Sequence, residues 1–143
     1  MILEYGKGAS ADIPVVFAQA KALVDAYEDI SAIDYGRVTA WMERKITKLI
    51  TSYTRVSLEG ETCAYYRLTE EGELDDFYVL PQFQNRGIGS EILKKSIGES
   101  KAPLWLYVFT ENKRAVALYE RFGFRITETV GTTRAIMRRE EEK

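Results

Sequence analysis

The chain has no histidine and a single cysteine in 143 residues. Without histidine the Ser-His and Cys-His nucleophile systems are excluded, as is any metal site built on imidazole. Acid–base work falls to Asp, Glu, Tyr, Lys or water. One cysteine, Cys63, permits no internal disulfide and no thiolate zinc cluster. It reads as a small apolar strand residue rather than a nucleophile. No apolar run approaches the ~18 residues of a membrane span, and the first residues lack a basic-then-apolar leader. A soluble, cytoplasmic protein with no membrane partner is the expectation. Charge of neither sign is in excess: the net charge is −2. No strongly basic face is evident, so nucleic acid is not an expected partner.

What is present is the composition of a folded protein, 45% hydrophobic and 29% charged. The length suits one domain over residues 1–143 with a proper core. Residues 2–5 suit a short first strand. Asp12 and Pro14 mark a helix start, after which Val16, Ala20, Leu23 and Tyr27 recur at helical spacing. A second helix, roughly Tyr35–Ile50, follows Ser31 and carries Val38, Trp41, Met42, Ile46, Leu49 and Ile50 as one apolar stripe. Trp41 and Met42 are expected in the core, with a substrate-facing role as the alternative. Ser52–Leu58 and Glu61–Leu68 read as strands joined by the two-residue loop Glu59 and Gly60. A turn containing Gly72 leads to a third strand, so the three form an antiparallel meander.

Residues 74 to 90 organise the rest. A strand over Leu74–Leu80 stops at Pro81, and a short polar loop enters a helix through Gly87 and Gly89. Lacking Cβ atoms, these glycines let backbone N–H groups close on a bulky anion. The first turn of the helix adds unpaired donors and the positive end of its dipole. Together they make a phosphate-binding arrangement. The spacing lacks the third glycine of a dinucleotide fingerprint, since Ile92 stands at that position, and it lacks the Lys of a P-loop. The helix, residues 88–99, is expected to bury Ile88, Ile92, Leu93 and Ile97. Leu104–Phe109 is a nearly continuous apolar strand, as in sheets covered on both faces. Strand, helix and strand form a right-handed βαβ unit with a parallel pair. A helix over Asn112–Phe122 ends at Gly123, a left-handed cap position. A hairpin around Gly131, Phe124–Val130 and Thr132–Arg138, closes the chain before a charged, frayed tail, Arg139–Lys143. The fold class is α/β: an α+β mixed sheet whose N-terminal meander joins a βαβ unit.

Two motifs at consistent spacing carry a resemblance. Gln84, Asn85, Arg86, Gly87, Ile88 and Gly89, after Val79, Leu80 and Pro81, resemble the Q/R-x-x-G-x-G/A pyrophosphate loop of the GNAT N-acetyltransferase superfamily. Asn112, Ala115, Leu118, Tyr119, Gly123 and Phe124 are similar to that family's N-x-x-A-x-x-L-Y-x-x-x-G-F signature. The resemblance covers residues 74 to 125; the first half matches only in element order. It implies a splayed parallel strand pair with an acetyl-coenzyme A arm in the gap, lying along Phe77, Tyr78 and Val79. It also implies a pyrophosphate on backbone donors from Asn85 to Ser90 with Gln84 and Arg86 beside it, and a cofactor contact from Asn112, which also suits a helix N-cap.

The same resemblance implies acetyl transfer from acetyl-CoA to a small-molecule or peptide amine by direct attack. Tyr119 then matches the general acid. The family's strand glutamate is replaced by Tyr107, and Glu73 takes the other position that carries a base in the family, with Asp75 second and a water chain as the alternative. The acidic run at Glu70, Glu71, Glu73, Asp75 and Asp76 suits a cationic acceptor. No metal is implied. A non-catalytic acyl-CoA sensor or partner module is the competing reading, to which the departure at Tyr107 leans. Dimerisation is common in that family, and no feature of this sequence demands it.

Overall fold

The computed structural model describes residues 1–140. They form seven strands and four α-helices: β1 (Leu3–Lys7), α1 (Ile13–Tyr27), α2 (Tyr35–Leu49), β2 (Thr54–Leu58), β3 (Glu61–Leu68), β4 (Leu74–Val79), α3 (Ile88–Glu99), β5 (Trp105–Phe109), α4 (Lys113–Arg121), β6 (Phe124–Val130) and β7 (Arg134–Arg139). Two sheets result, one in the order β1-β2-β3-β4 and one in the order β5-β7-β6. The chain groups into two compact units, Met1–Arg67 with Asp76–Arg86, and Leu68–Asp75 with the chain from Gly87 onward.

In the first unit, β1 pairs with β2 and β2 with β3, both antiparallel, with a bulge at Val56 and Ser57. The expected meander is therefore four strands wide. Glu59 and Gly60 both take positive φ, 53° and 82°, as a tight hairpin of this twist requires. The core joins Val16 and Ala20 of α1, Ile46 of α2, and Ile50, Tyr53 and Tyr65, with Phe17, Met42, Leu49 and Tyr78 packed against them. Cys63 is fully buried in β3, as a strand residue should be, and burial pushes its thiol above the ordinary value.

One local expectation changes here, and two helix starts gain their detail. α1 starts after Asp12 as expected, with Asp12 at the N-cap but no side-chain capping hydrogen bond. Asp12 is buried and accepts from Tyr65 OH at 2.6 Å, Arg55 Nη1 at 3.1 Å and the Ala9 N–H at 2.8 Å. A buried carboxylate persists only when paired in this way. The cap of α2 is Asp34, whose Oδ1 accepts from the Arg37 N–H at 3.2 Å. Trp41 is not core: it is 56% exposed, while Met42 alone turns inward. At 100° per residue the two neighbours straddle the edge of the stripe, so only one of them can reach the core.

In the second unit, β7 pairs antiparallel with both β5 and β6. α3 buries Ile88, Ile92 and Leu93 as expected, but the next inward residue is Ser96 and Ile97 is only half-buried. β5 is not covered on both faces. Leu106 and Val108 are buried while Tyr107 is 47% exposed, so the apolar run conceals an ordinary alternation. The parallel pairing before β5 is a single bridge, Glu73 with Trp105, supported by the Trp105 N–H donating to the Gly72 carbonyl at 3.0 Å. Gly72 is required there: its φ is +90°, and a Cβ would sit 2.4 Å from the Pro103 carbonyl oxygen. Arg139, expected in a frayed tail, belongs to β7 and donates from Nε to the Phe122 carbonyl at 2.8 Å. Glu140 follows it, its N–H donating to the Gly123 carbonyl at 3.3 Å; residues 141–143 of that tail lie outside the described residues.

Candidate functional site

Strand β4 does not run as a regular strand. Asp76 has φ +47°, a left-handed conformation for a non-glycine residue in the middle of the element. The division between the two units falls at this point, between Asp75 and Asp76. Its side chain is tied down on the first unit's side: Oδ2 accepts from Tyr53 OH at 2.5 Å and Lys45 Nζ at 3.3 Å, and Oδ1 accepts from Tyr78 OH at 2.6 Å. The left-handed residue breaks the pleat. Side chains before and after it therefore do not keep the two-residue alternation of a regular strand. Phe77, Tyr78 and Val79 are all half-buried rather than alternating. Tyr78 packs against the first unit's core.

Beyond β4, the chain makes a 3-10 turn at Pro81–Phe83 and reaches the glycine loop. Gln84 folds back: its Nε2 donates to the Val79 carbonyl at 3.2 Å. The exposed Arg86 guanidinium lies 5.2 Å from the Phe83 ring centre, and Phe83 is buried. Asn85 and Gly87 take positive φ, 65° and 82°. Gly87 is the N-cap of α3, and no side chain caps that helix end among the described residues. A Cβ on Gly87 would meet nothing within 4 Å, so backbone conformation rather than crowding asks for glycine. Ile88 is 1% exposed and pins the first turn, leaving its backbone rather than its side chain for recognition. Gly89 and Ser90 follow within that turn, both half-buried.

The second unit holds the remaining candidates. Asn112 caps α4, its Oδ1 accepting from the Ala115 N–H at 3.4 Å. Tyr119 is buried on α4, with its ring 5.7 Å from that of Phe124. Burial pushes its phenol above the ordinary value near 10. Glu73 and Asp75 are both half-buried. The backbone of Glu73 closes the preceding turn, its N–H donating to Thr69 Oγ1 at 3.0 Å and its carbonyl accepting from the Thr69 N–H at 2.9 Å. Tyr107 stands exposed on β5, stacked edge-on with Trp105 at 5.6 Å. Tyr53 and Lys45 are absent from the sequence candidates; Asp76 entered only within the acidic run and Trp41 only through its alternative substrate-facing role. The one available cue was a second acid inside an otherwise apolar strand; its partners lie 23 and 31 residues away in sequence. Among the described residues no group of three or more Cys, Asp or Glu side chains could hold a metal ion, and no helix is long and apolar enough to cross a membrane.

The architecture recurs in solved acetyltransferases. PaiA N-acetyltransferase of Thermoplasma acidophilum, solved with coenzyme A, superposes at a TM-score of 0.72 with 17% identity, covering 99% of this chain and 100% of that one. Naa50 of Arabidopsis thaliana, with the bisubstrate analogue CoA-Ac-MVNAL, gives a TM-score of 0.64 at 16% identity, covering 99% and 100%. These share the fold. The sequence profile of the Acetyltransferase (GNAT) family matches residues 20–124, and the chain belongs to that family. The ribosomal protein bS18-alanine N-acetyltransferase of Escherichia coli is 31% identical over 90 residues, 50% of this chain and 61% of that protein. The mouse thialysine N-epsilon-acetyltransferase is 38% identical over 63 residues, 41% and 37% respectively. The matched segments thus span less than two thirds of these relatives' length.

Proposed function

We propose that the protein transfers an acetyl group from acetyl-CoA to a primary amine. The observation that carries this reading is the start of α3: the left-handed Gly87 and a helix end without a side-chain cap offer backbone N–H groups and a dipole of about half a positive charge to a diphosphate. The family membership and the bS18-alanine and thialysine relatives support an amine acceptor. Acetyl-CoA supplies an activated thioester carbonyl, which the amine attacks as the thiol departs.

The chain's own residues have three tasks. Backbone donors from Asn85 to Ser90 hold the diphosphate. Gln84 braces the loop through the Val79 carbonyl, Arg86 adds charge at the loop's exposed side, and Asn112 adds a polar contact from the α4 cap. The backbone of Phe77, Tyr78 and Val79 pairs with the pantetheine arm as a peptide adds to a sheet edge, and an N–H at Tyr78 or Val79 faces the developing oxyanion. Tyr119 serves the departing thiol. A phenol of ordinary pKa giving its proton fully to a thiolate near 8.5 is uphill by about 2 kcal/mol. Burial raises Tyr119 further, so the transfer is steeper still. Tyr119 therefore acts by hydrogen bonding to the developing thiolate more than by releasing a proton before it forms. The acceptor must reach its neutral form, which for a lysine-like amine at pH 7 costs about 4–5 kcal/mol. Glu73 takes that proton, with Asp75 as second candidate.

The test is thiol release from acetyl-CoA against polyamines, amino acids, and lysine and N-terminal peptides, with Tyr119→Phe alongside. Turnover on one amine class, cut at least about tenfold by the substitution, is the expected result. Tight acetyl-CoA binding without turnover on any amine would overturn the transferase reading in favour of an acyl-CoA sensor, the reading to which the replacement of the family's strand glutamate by Tyr107 leans.

A further inference from the structure

A second polar cluster of the first unit uses side chains given no role above; of its residues only the Tyr78 backbone was assigned. On α2, Lys45 follows Trp41 by one turn, and its Nζ lies 5.9 Å from the Trp41 ring centre and 3.3 Å from Asp76 Oδ2. The hydroxyls of Tyr53 and Tyr78 donate to the same carboxylate, at 2.5 and 2.6 Å. The Lys45 and Asp76 side chains are 21% and 15% exposed, whereas Trp41 is 56% exposed.

Two features argue for recognition beyond a structural ion pair. Asp76 occupies a left-handed conformation that glycine adopts without cost. Such an outlier persists where surrounding contacts over-determine it, here those of Tyr53, Lys45 and Tyr78, and outliers of this kind cluster at ligand sites. Trp41 spends a large aromatic surface on solvent, beside a cation, where burial gains it little; an open ring beside a carboxylate is how proteins receive alkylammonium groups. The chain itself reports what fits: a primary ammonium on a flexible four-carbon stem.

We propose that Asp76, Tyr53, Tyr78 and Trp41 form a subsite for a primary alkylammonium of the acceptor, and that the Lys45 ammonium is its exchangeable internal occupant. This deepens the transferase reading and rests on it only for the word acceptor. Diamines and lysine-like amines are the class selected. They enter by displacing the Lys45 side chain, whose stem swings toward solvent, while neutral alcohols of the same length gain nothing.

The experiment is calorimetric titration of the full chain with pentane-1,5-diamine and with pentan-1-ol, without acetyl-CoA. Lys45→Met removes the internal ammonium and keeps the helix propensity of the position. The variant binds the diamine at least about tenfold more tightly than the wild type, ignores the alcohol, and loses the gain when Asp76→Asn is added. Asn preserves an acceptor for a tyrosine hydroxyl. Should that double variant fail to fold, Trp41→Ala in the Lys45→Met protein, at an exposed position, reads the same site by a several-fold weakening. Equal diamine affinity in wild type and Lys45→Met, or full affinity retained after Asp76→Asn or Trp41→Ala, would overturn the subsite. Because none of this requires turnover, diamine binding in a protein inert toward acetyl-CoA sinks the transferase reading alone, and turnover with unaltered diamine binding sinks the subsite alone.

Discussion

Raising the pH interrogates Tyr119 without any substrate. Its phenol is buried and titrates above its ordinary value. In the unfolded chain a tyrosine ionises near pH 10. Between that pH and the higher folded-state value, the unfolded chain has released a proton that the native chain keeps. Stability then falls as pH rises, with a limiting slope of about 1.4 kcal/mol per pH unit. The contribution is fully present below pH 10 and is lost as pH climbs through the folded-state value. The diagnostic quantity is the difference between wild type and Tyr119→Phe, in which the contributions of all other groups cancel. From pH 10 to 11 the wild type should lose about 1 kcal/mol more than the variant, obtained by integrating that slope from its onset. Urea unfolding followed by circular dichroism at pH 8, 10 and 11 resolves this: with a slope of 1–3 kcal/mol per molar for a small protein, the midpoint gap narrows by roughly 0.5 M. Any fixed offset at neutral pH, from the loss of the hydroxyl's own contacts, drops out of the comparison. Parallel loss of stability in the two proteins across pH 10–11 would refute the buried phenol. It would also reopen Tyr119 as a direct proton donor, since an unshifted phenol is the better acid.

Gly72 and Gly60 share a positive φ, but only Gly72 has a backbone carbonyl where its Cβ would go. Gly60→Ala should therefore cost about 1–2 kcal/mol of left-handed strain, and Gly72→Ala clearly more; equal urea midpoints for the two would contradict the close approach to Pro103. Asp12→Ala leaves the Tyr65 hydroxyl buried and the Arg55 guanidinium without its carboxylate, a loss of about 2–4 kcal/mol in chemical denaturation. Cys63, at 0% exposure, should react with an aromatic disulfide reagent only as fast as the protein opens; an immediate full-stoichiometry reaction in native buffer would contradict its burial.

Much of the fold was legible because it rests on local devices. The bounds of β3, the hairpin at Glu59 and Gly60, and the helix from Ile88 follow from β-branched runs, glycine in tight turns and helical spacing of apolar residues. The glycine entry into α3 and the N-x-x-A-x-x-L-Y helix were equally readable, because a left-handed helix start and the packing of α4 each depend on residues a few positions apart. The misreadings share one cause. Trp41 and the two faces of β5 are questions of which side an element turns to a neighbour, and the neighbour is remote in sequence.

By itself, then, the sequence determined the element order, the glycine entry into α3, the exclusion of histidine chemistry and the family to which the chain belongs. Each is written in short-range spacing or in composition. Tertiary structure alone decided that β4 breaks at Asp76, that its carboxylate gathers two tyrosines and a lysine, and that Tyr119 is buried deeply enough to hold its proton more tightly. A left-handed residue inside a strand opposes local preference. Its side chain is held by Tyr78 two positions on and by Tyr53 and Lys45, 23 and 31 positions away, and no short window of sequence contains the last two.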